Sequence, residues 1–204
     1  MNDHSFIYGA AAKRPAMRDG TRTKERIERA ALKLFVERGV AQTSIRDIAR
    51  EAGVSQGAMY NHFTSKDQLA WSLFAEHFSE MGQELRRRAH AHDDLRDKFR
   101  AMITYVFERF DHDWLLVSYV FLARHLHLRH VTRKLGNPYI AFRAVIAAAI
   151  RRGEIPHQNA ELATSLVVGA IIQVIDTKIM GVIKGDLAAS ADATAAACAR
   201  LLEA

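Results

Sequence analysis

The sequence predicts an all-α protein of about nine helices, on three observations. The 204 residues hold only three prolines, Pro15, Pro138 and Pro156, so long uninterrupted helices are permitted. No run of Val, Ile, Thr and aromatic residues alternates at period two, so no strand stands out. Apolar residues instead recur at helical spacing, first in Ile27, Ala30, Ala31, Leu34 and Phe35 at i, i+3, i+4, i+7 and i+8.

Each element then takes its bounds from cap and breaker residues. Residues 1–20 carry no periodicity and include Lys13, Arg14, Pro15 and Arg18, which reads as a flexible basic arm. The first helix starts at a cap, Thr21 or Thr23, and stops at Gly39. Thr43 or Ser44 caps a short second helix that buries Ile45, Ile48, Ala49 and Ala52, with Asp47 at capping-box spacing from Ser44. Gly53-Val54-Ser55 breaks that helix, and Ser55 caps a third, through about His62. Ser65 caps a fourth that runs from Lys66 to about Arg88. Five more are expected at roughly Asp94–Phe110, Asp113–Arg129, Pro138–Arg152, Ala160–Lys184 and Ser190–Leu202.

Composition limits the class of protein. Apolar residues at 49% and charged residues at 25% match an ordinary soluble globular chain. Cys198 is the single cysteine, so no intrachain disulfide forms and a reducing, cytoplasmic setting is the simplest expectation. The first 20 residues lack an apolar run followed by a small-residue cleavage site, so no secretory signal is expected. Leu162–Ile175 is the most apolar stretch, but Thr164, Ser165 and Gln173 interrupt it and it is too short to span a bilayer. It is expected to be a buried helix, Ala160–Lys184 being apolar on more than one face as if one met its own core and another a second subunit, and no membrane association is expected.

Charge is unevenly placed. Residues 1–66 carry twelve Lys/Arg against seven Asp/Glu, and residues 67–204 carry seventeen against sixteen. A basic first third on a near-neutral remainder suits contact with polyphosphate, although a solvated basic surface would show the same balance.

The most informative stretch runs from Ser44 to Ser55: a short helix, a tight turn at Gly53, an apolar Val54 in the corner, and a cap that restarts the helix. This is the construction of a helix-turn-helix, whose second helix enters the DNA major groove. Ala49 and Ala52 are small enough to let the two helices cross closely.

Residues 23–74 also resemble the tetracycline-repressor (TetR) family, through Ile48-Ala49, Ala52-Gly53-Val54-Ser55, Gly57, Tyr60-Asn61-His62-Phe63, Ser65-Lys66 and Leu69. The family usually has Ser or Thr after the glycine, where this chain has Ala58. The resemblance implies a helix-turn-helix unit over 21–66 and a ligand-binding and dimerisation half over 67–204. It implies DNA contacts from Thr43 and Ser44 at a helix N-terminus, from Arg46, and from Gln56 and Gly57 on the recognition helix. Tyr60, His62 and Lys66 would contact phosphate or sugar. It further implies a homodimer through the last two helices, reading a near-palindromic operator. Release would follow when a small effector changes the spacing of the fourth helices, and repression is the family habit.

The larger half must bury a ligand, a partner or both. Its near-neutral charge and apolar content favour a mostly apolar effector. Candidate effector contacts are Phe78, Phe107, Trp114 and Tyr119, with Gln173 and Asp176 as orienting polar groups. At helical spacing such aromatics are commonly plain core.

Catalysis and bound cofactors find no support. Gly53-Val54-Ser55-Gln56-Gly57 matches the nucleophile-elbow pattern of serine hydrolases, but that turn requires a preceding strand and Ile45–Ala52 has helical period. No dinucleotide fingerprint, P-loop or zinc-protease helix motif occurs, so no enzyme is expected. His125, His127 and His130 lack a neighbouring carboxylate or cysteine at ligand spacing, so no metal site is expected either.

Overall fold

The computed structural model describes residues 15–127, 131 and 136–203. Among these the chain forms nine α-helices: α1 (Pro15–Arg38), α2 (Ile45–Ala52), α3 (Gln56–Tyr60), α4 (Lys66–His90), α5 (Leu95–His112), α6 (Trp114–His127), α7 (Pro138–Arg152), α8 (Ala160–Ile179) and α9 (Ala191–Arg200). A short 3-10 turn, Leu187–Ser190, leads into α9. No strand occurs among the described residues.

Two helix bounds differ from expectation by more than two residues. Helix α1 begins at Pro15 rather than Thr21, so the last residues of the expected arm are its first turns, and the rest of the arm lies outside the described residues. Proline suits that position, because its missing N–H has no intrahelical acceptor there in any case. Helix α8 stops at Ile179, five residues short of Lys184. Gly181 takes a left-handed φ of 74°. Its N–H reaches the Lys178 carbonyl and that of Val182 the Thr177 carbonyl, a Schellman closure.

The helices enclose two separate apolar cores. The first joins α1, α2, α3 and the start of α4 through residues such as Ile27, Phe35, Ile48, Met59 and Leu69, and it extends to Phe78. Helix α6 belongs to this core through Leu115, Leu116, Tyr119, Val120 and Ala123. The second core begins on α4 at Met81 and takes in α5, α7, α8 and α9. Helix α4 therefore passes from one core to the other between Phe78 and Met81.

Within a single chain helix α8 buries one face only, and the face expected to meet a second subunit is open. Ala163, Thr164, Val167, Ile171 and Ile175 face the core. Leu162, Ser165, Leu166, Gly169 and Gln173 form an exposed stripe at helical spacing.

Candidate DNA interface

The interface is built on α2 and α3, and its local geometry follows from caps. The Ser44 hydroxyl accepts the Asp47 N–H at 3.1 Å, while the Asp47 carboxylate accepts the Ser44 N–H at 3.2 Å. This closed capping box fixes the N-terminus of α2. The Ser44 hydroxyl and backbone, followed by Arg50, hold the Asp47 carboxyl below its usual range. The N–H groups of Ile45 and Arg46, first in the helix, have no acceptor among the described residues.

Gly53 ends α2 with φ 63° and ψ 40°, where a side chain would be strained. A Cβ there would also lie 2.9 Å from an Arg26 guanidinium nitrogen. That guanidinium donates from α1 to the Ala52 and Gly53 carbonyls at 2.5 and 3.0 Å. It caps the end of α2, where the helix dipole favours a cation. Sequence reasoning missed this role, because Arg26 looks like any charged residue on α1.

Ser55 restarts the chain as α3, its hydroxyl accepting the Ala58 N–H at 3.1 Å. Met59 is fully buried and anchors the short helix, while Gln56 and Gly57 are exposed and Tyr60 is 56% exposed. The recognition surface is therefore three outward positions around one apolar anchor. His62 is half-buried beside it, its ring 6.4 Å from that of Phe63. Ser44 and Arg46 are exposed at the start of α2, and Arg46 has no salt bridge among the described residues. Six of the eight expected contact residues thus reach the surface or its edge.

The other two are placed differently. Thr43 is buried, its hydroxyl donating to the Gly39 carbonyl at 2.9 Å and its N–H to the Val40 carbonyl at 3.3 Å, so neither is offered to a phosphate. The Lys66 ammonium donates to three carbonyls, those of Val40, Ala41 and Thr43, at 2.8, 3.1 and 2.9 Å. An ammonium has three protons, and all are used. Lys66 ties the first residue of α4 to the α1–α2 turn and is a structural clamp.

Further links bind α6 to this unit. The Tyr119 hydroxyl donates to the Ala70 carbonyl on α4 at 2.7 Å, and its ring lies 5.7 Å from that of Phe35 on α1. Burial raises the phenol pKa well above its usual value, so it stays a donor. Arg29 of α1 grips both oxygens of Asp113, just before α6, at 2.7 and 2.9 Å. Burial opposes ionisation of Asp113, but Arg29 and the Leu116 N–H outweigh it and hold the carboxyl below its usual range.

The expected effector contacts do not converge. Tyr119 and Phe78 belong to the core shared with the DNA-reading helices, whereas Phe107 lies in the second core. Trp114 is 53% exposed beside α1. Gln173 is exposed and its amide points to Thr177, and Asp176 is half-buried on the same helix. Apolar pattern alone does not sort these residues between two cores. No cluster of three metal-ligating side chains occurs among the described residues, and His130 lies outside them.

A capped helix, a left-handed turn and an exposed, anchored second helix define a helix-turn-helix DNA-binding protein. Residues 27–76 match the model of the bacterial regulatory proteins, tetR family. The chain is a transcriptional regulator of the TetR family. It is 28% identical over 171 residues to the fatty acid metabolism regulator protein of Bacillus subtilis, covering 78% of this chain and 85% of that protein. It is 34% identical over 98 residues to the regulator AcrR of Shigella flexneri, covering 47% of this chain and 45% of that one. Its fold is similar to that of the fatty acid degradation regulator FadR from Bacillus halodurans, with a TM-score of 0.73 at 22% identity over 87% of this chain and 93% of that chain.

Proposed function

We propose that the chain is a repressor that binds a near-palindromic operator as a homodimer and leaves it when a small, mostly apolar effector binds. The observation that carries the DNA half is the exposed set Gln56, Gly57 and Tyr60 on a helix anchored by buried Met59. Gln56 supplies a bidentate group for a base edge, Gly57 permits close approach, and Tyr60 with Ser44, Arg46 and His62 lies toward the backbone.

The stripe Leu162, Leu166, Gly169 and Gln173 on α8 supports dimerisation, with Ala193 and Ala196 exposed on α9. Small and apolar groups on two neighbouring helices suit a two-fold bundle of four. Helix α8 as a whole, longer than the stretch Leu162–Ile175 that reads as too short, is long and apolar enough to cross a bilayer, but it packs one face on α7 and α9 in the second core.

The effector class is a fatty acyl chain or a molecule of like apolarity. Support comes from the relative named a fatty acid metabolism regulator, and from a FadR of Bacillus subtilis whose structure is described in complex with stearoyl-CoA. Of the expected contacts, Phe78 and Phe107 are proposed, one from each apolar core. The reading is tested by selecting DNA from a random pool with the purified chain, then adding acyl-CoA thioesters of graded length. A selected palindrome that is released by one range of chain lengths supports it. Failure to enrich any sequence over competitor overturns it.

A further inference from the structure

Helix α4 joins the two cores, so whatever fixes its angle fixes the recognition helix relative to the dimerising half. The closest approach is backbone against backbone. Gly82 of α4 is buried against the chain entering α7, and a Cβ on it would lie 2.7 Å from the Asn137 nitrogen and 2.8 Å from the Gly136 carbonyl carbon. The approach is reciprocal: a Cβ on Gly136 would run into the Ser79 carbonyl. One turn back on α4, the Ser79 hydroxyl accepts the Gly136 N–H at 3.2 Å. Phe78 is the last α4 residue in the first core and Met81 the first in the second, so this contact sits where α4 changes cores.

We propose that the Gly82–Gly136 contact, pinned by Ser79, is the fulcrum on which α4 tilts, making these three the positioning residues that set where the DNA-reading unit stands. Lys66 lies sixteen residues before Gly82, a lever of about 24 Å at the helical rise. A tilt of about 10° would move the Lys66 end by about 4 Å, enough to take two recognition helices out of register with successive major grooves. A side chain at position 82 meets only backbone, so no rotamer change can relieve it. The helices must part by about 0.8 Å to restore ordinary carbon contact. With the far end of α4 held in the second core by Leu85 and Ala89, that displacement becomes a shift of about 3 Å at Lys66.

The consequence for DNA rests on the regulator reading above, but the movement can be measured without it. The full-length chain carrying Asn61→Cys and Ala144→Cys, both at exposed positions, takes nitroxide labels, while Cys198 is fully buried. Diluting it into excess unlabelled chain restricts the pulsed dipolar measurement to distances within one chain, whatever the oligomeric state. Gly82→Ala should move the mean distance by about 3 Å with helix content retained. Ser79→Ala removes the pin without adding bulk and should broaden the distribution about the same mean. If Gly82→Ala does not fold, the width in Ser79→Ala decides alone. An unchanged mean in a folded Gly82→Ala, with the start of α7 giving way instead, overturns the proposal, as does an unchanged width in Ser79→Ala. In a gel shift, Gly82→Ala should lose about tenfold in operator affinity. A wild-type chain that binds no operator would defeat the regulator reading and leave the distance result standing.

Discussion

The Lys66 ammonium rests on the Val40 carbonyl at 2.8 Å, across 26 residues of sequence, and two neighbouring carbonyls complete its shell. A cation near DNA is ordinarily assigned to phosphate. Here the protein's own backbone takes its protons, and α4 is tethered to the turn that presents Ser44.

That geometry gives a discriminating prediction. Lys66→Met should lower stability by about 1–3 kcal/mol, because three backbone acceptors lose a charged donor. Operator affinity should fall with it. The slope of log affinity against log salt should stay as in the wild type, whereas loss of a true phosphate contact lowers it by about 1. Binding titrations at four salt concentrations, beside a thermal melt, separate the two roles.

On the recognition helix, Gln56→Ala should leave the melting temperature unchanged, because the side chain is exposed. It should cost about 1–3 kcal/mol on the preferred operator and relax the preference at one base pair of each half-site. Tyr60→Ala should weaken binding to all sequences alike. A competition series over single-base operator variants tells them apart, and a uniform loss for Gln56→Ala would remove it from base readout.

The Arg29–Asp113 pair makes the α1–α6 junction acid-sensitive. The Asp113 carboxyl titrates lower in the folded chain than in the unfolded one. Its contribution is therefore complete above the unfolded carboxylate value of about 4 and is lost as pH falls through the folded value. Arg29 is 56% exposed, so the pair is worth only about 0.5–1 kcal/mol. Asp113→Asn should be less stable than wild type by that amount at pH 7, and urea midpoints of the two should converge as pH falls through the folded value of the Asp113 carboxyl. A gap that persists in acid would assign the effect to packing.

For the second subunit, Leu166→Arg places a charge in the middle of the exposed α8 stripe, at a residue 50% exposed. The monomer fold should survive. Sedimentation velocity should show a single-chain mass at micromolar concentration, and specific operator binding should be lost. Persistence of the dimer would move the interface elsewhere.

Much of the site was legible because caps are local. Ser44, Ser55, Ser65 and Gly53 each act on groups within four residues, so their types and spacing suffice to place α2, α3 and the start of α4. Helix α7 falls on its expected bounds for the same reason, between a proline and a glycine. Thr43 and Lys66 were not legible in this way. Whether a hydroxyl or ammonium faces water or a carbonyl depends on how the chain folds back from Gly39. Sorting Tyr119 and Phe107 into different cores failed likewise, since an aromatic at helical spacing is equally suited to either.

The lodging of α6 among the DNA-reading helices bears on how such regulators are recombined. A graft cut at residue 66 would carry the reading head without Leu115, Leu116, Tyr119 and Val120, each buried in its core. Each is worth roughly 1.5–3 kcal/mol when withdrawn from water. The recipient would have to supply a sixth helix of matching shape and an acidic residue opposite Arg29. Chimeras made within this chain's own frame should therefore transplant α6 along with the head. Otherwise they would have to choose donors whose sixth helix already fits it.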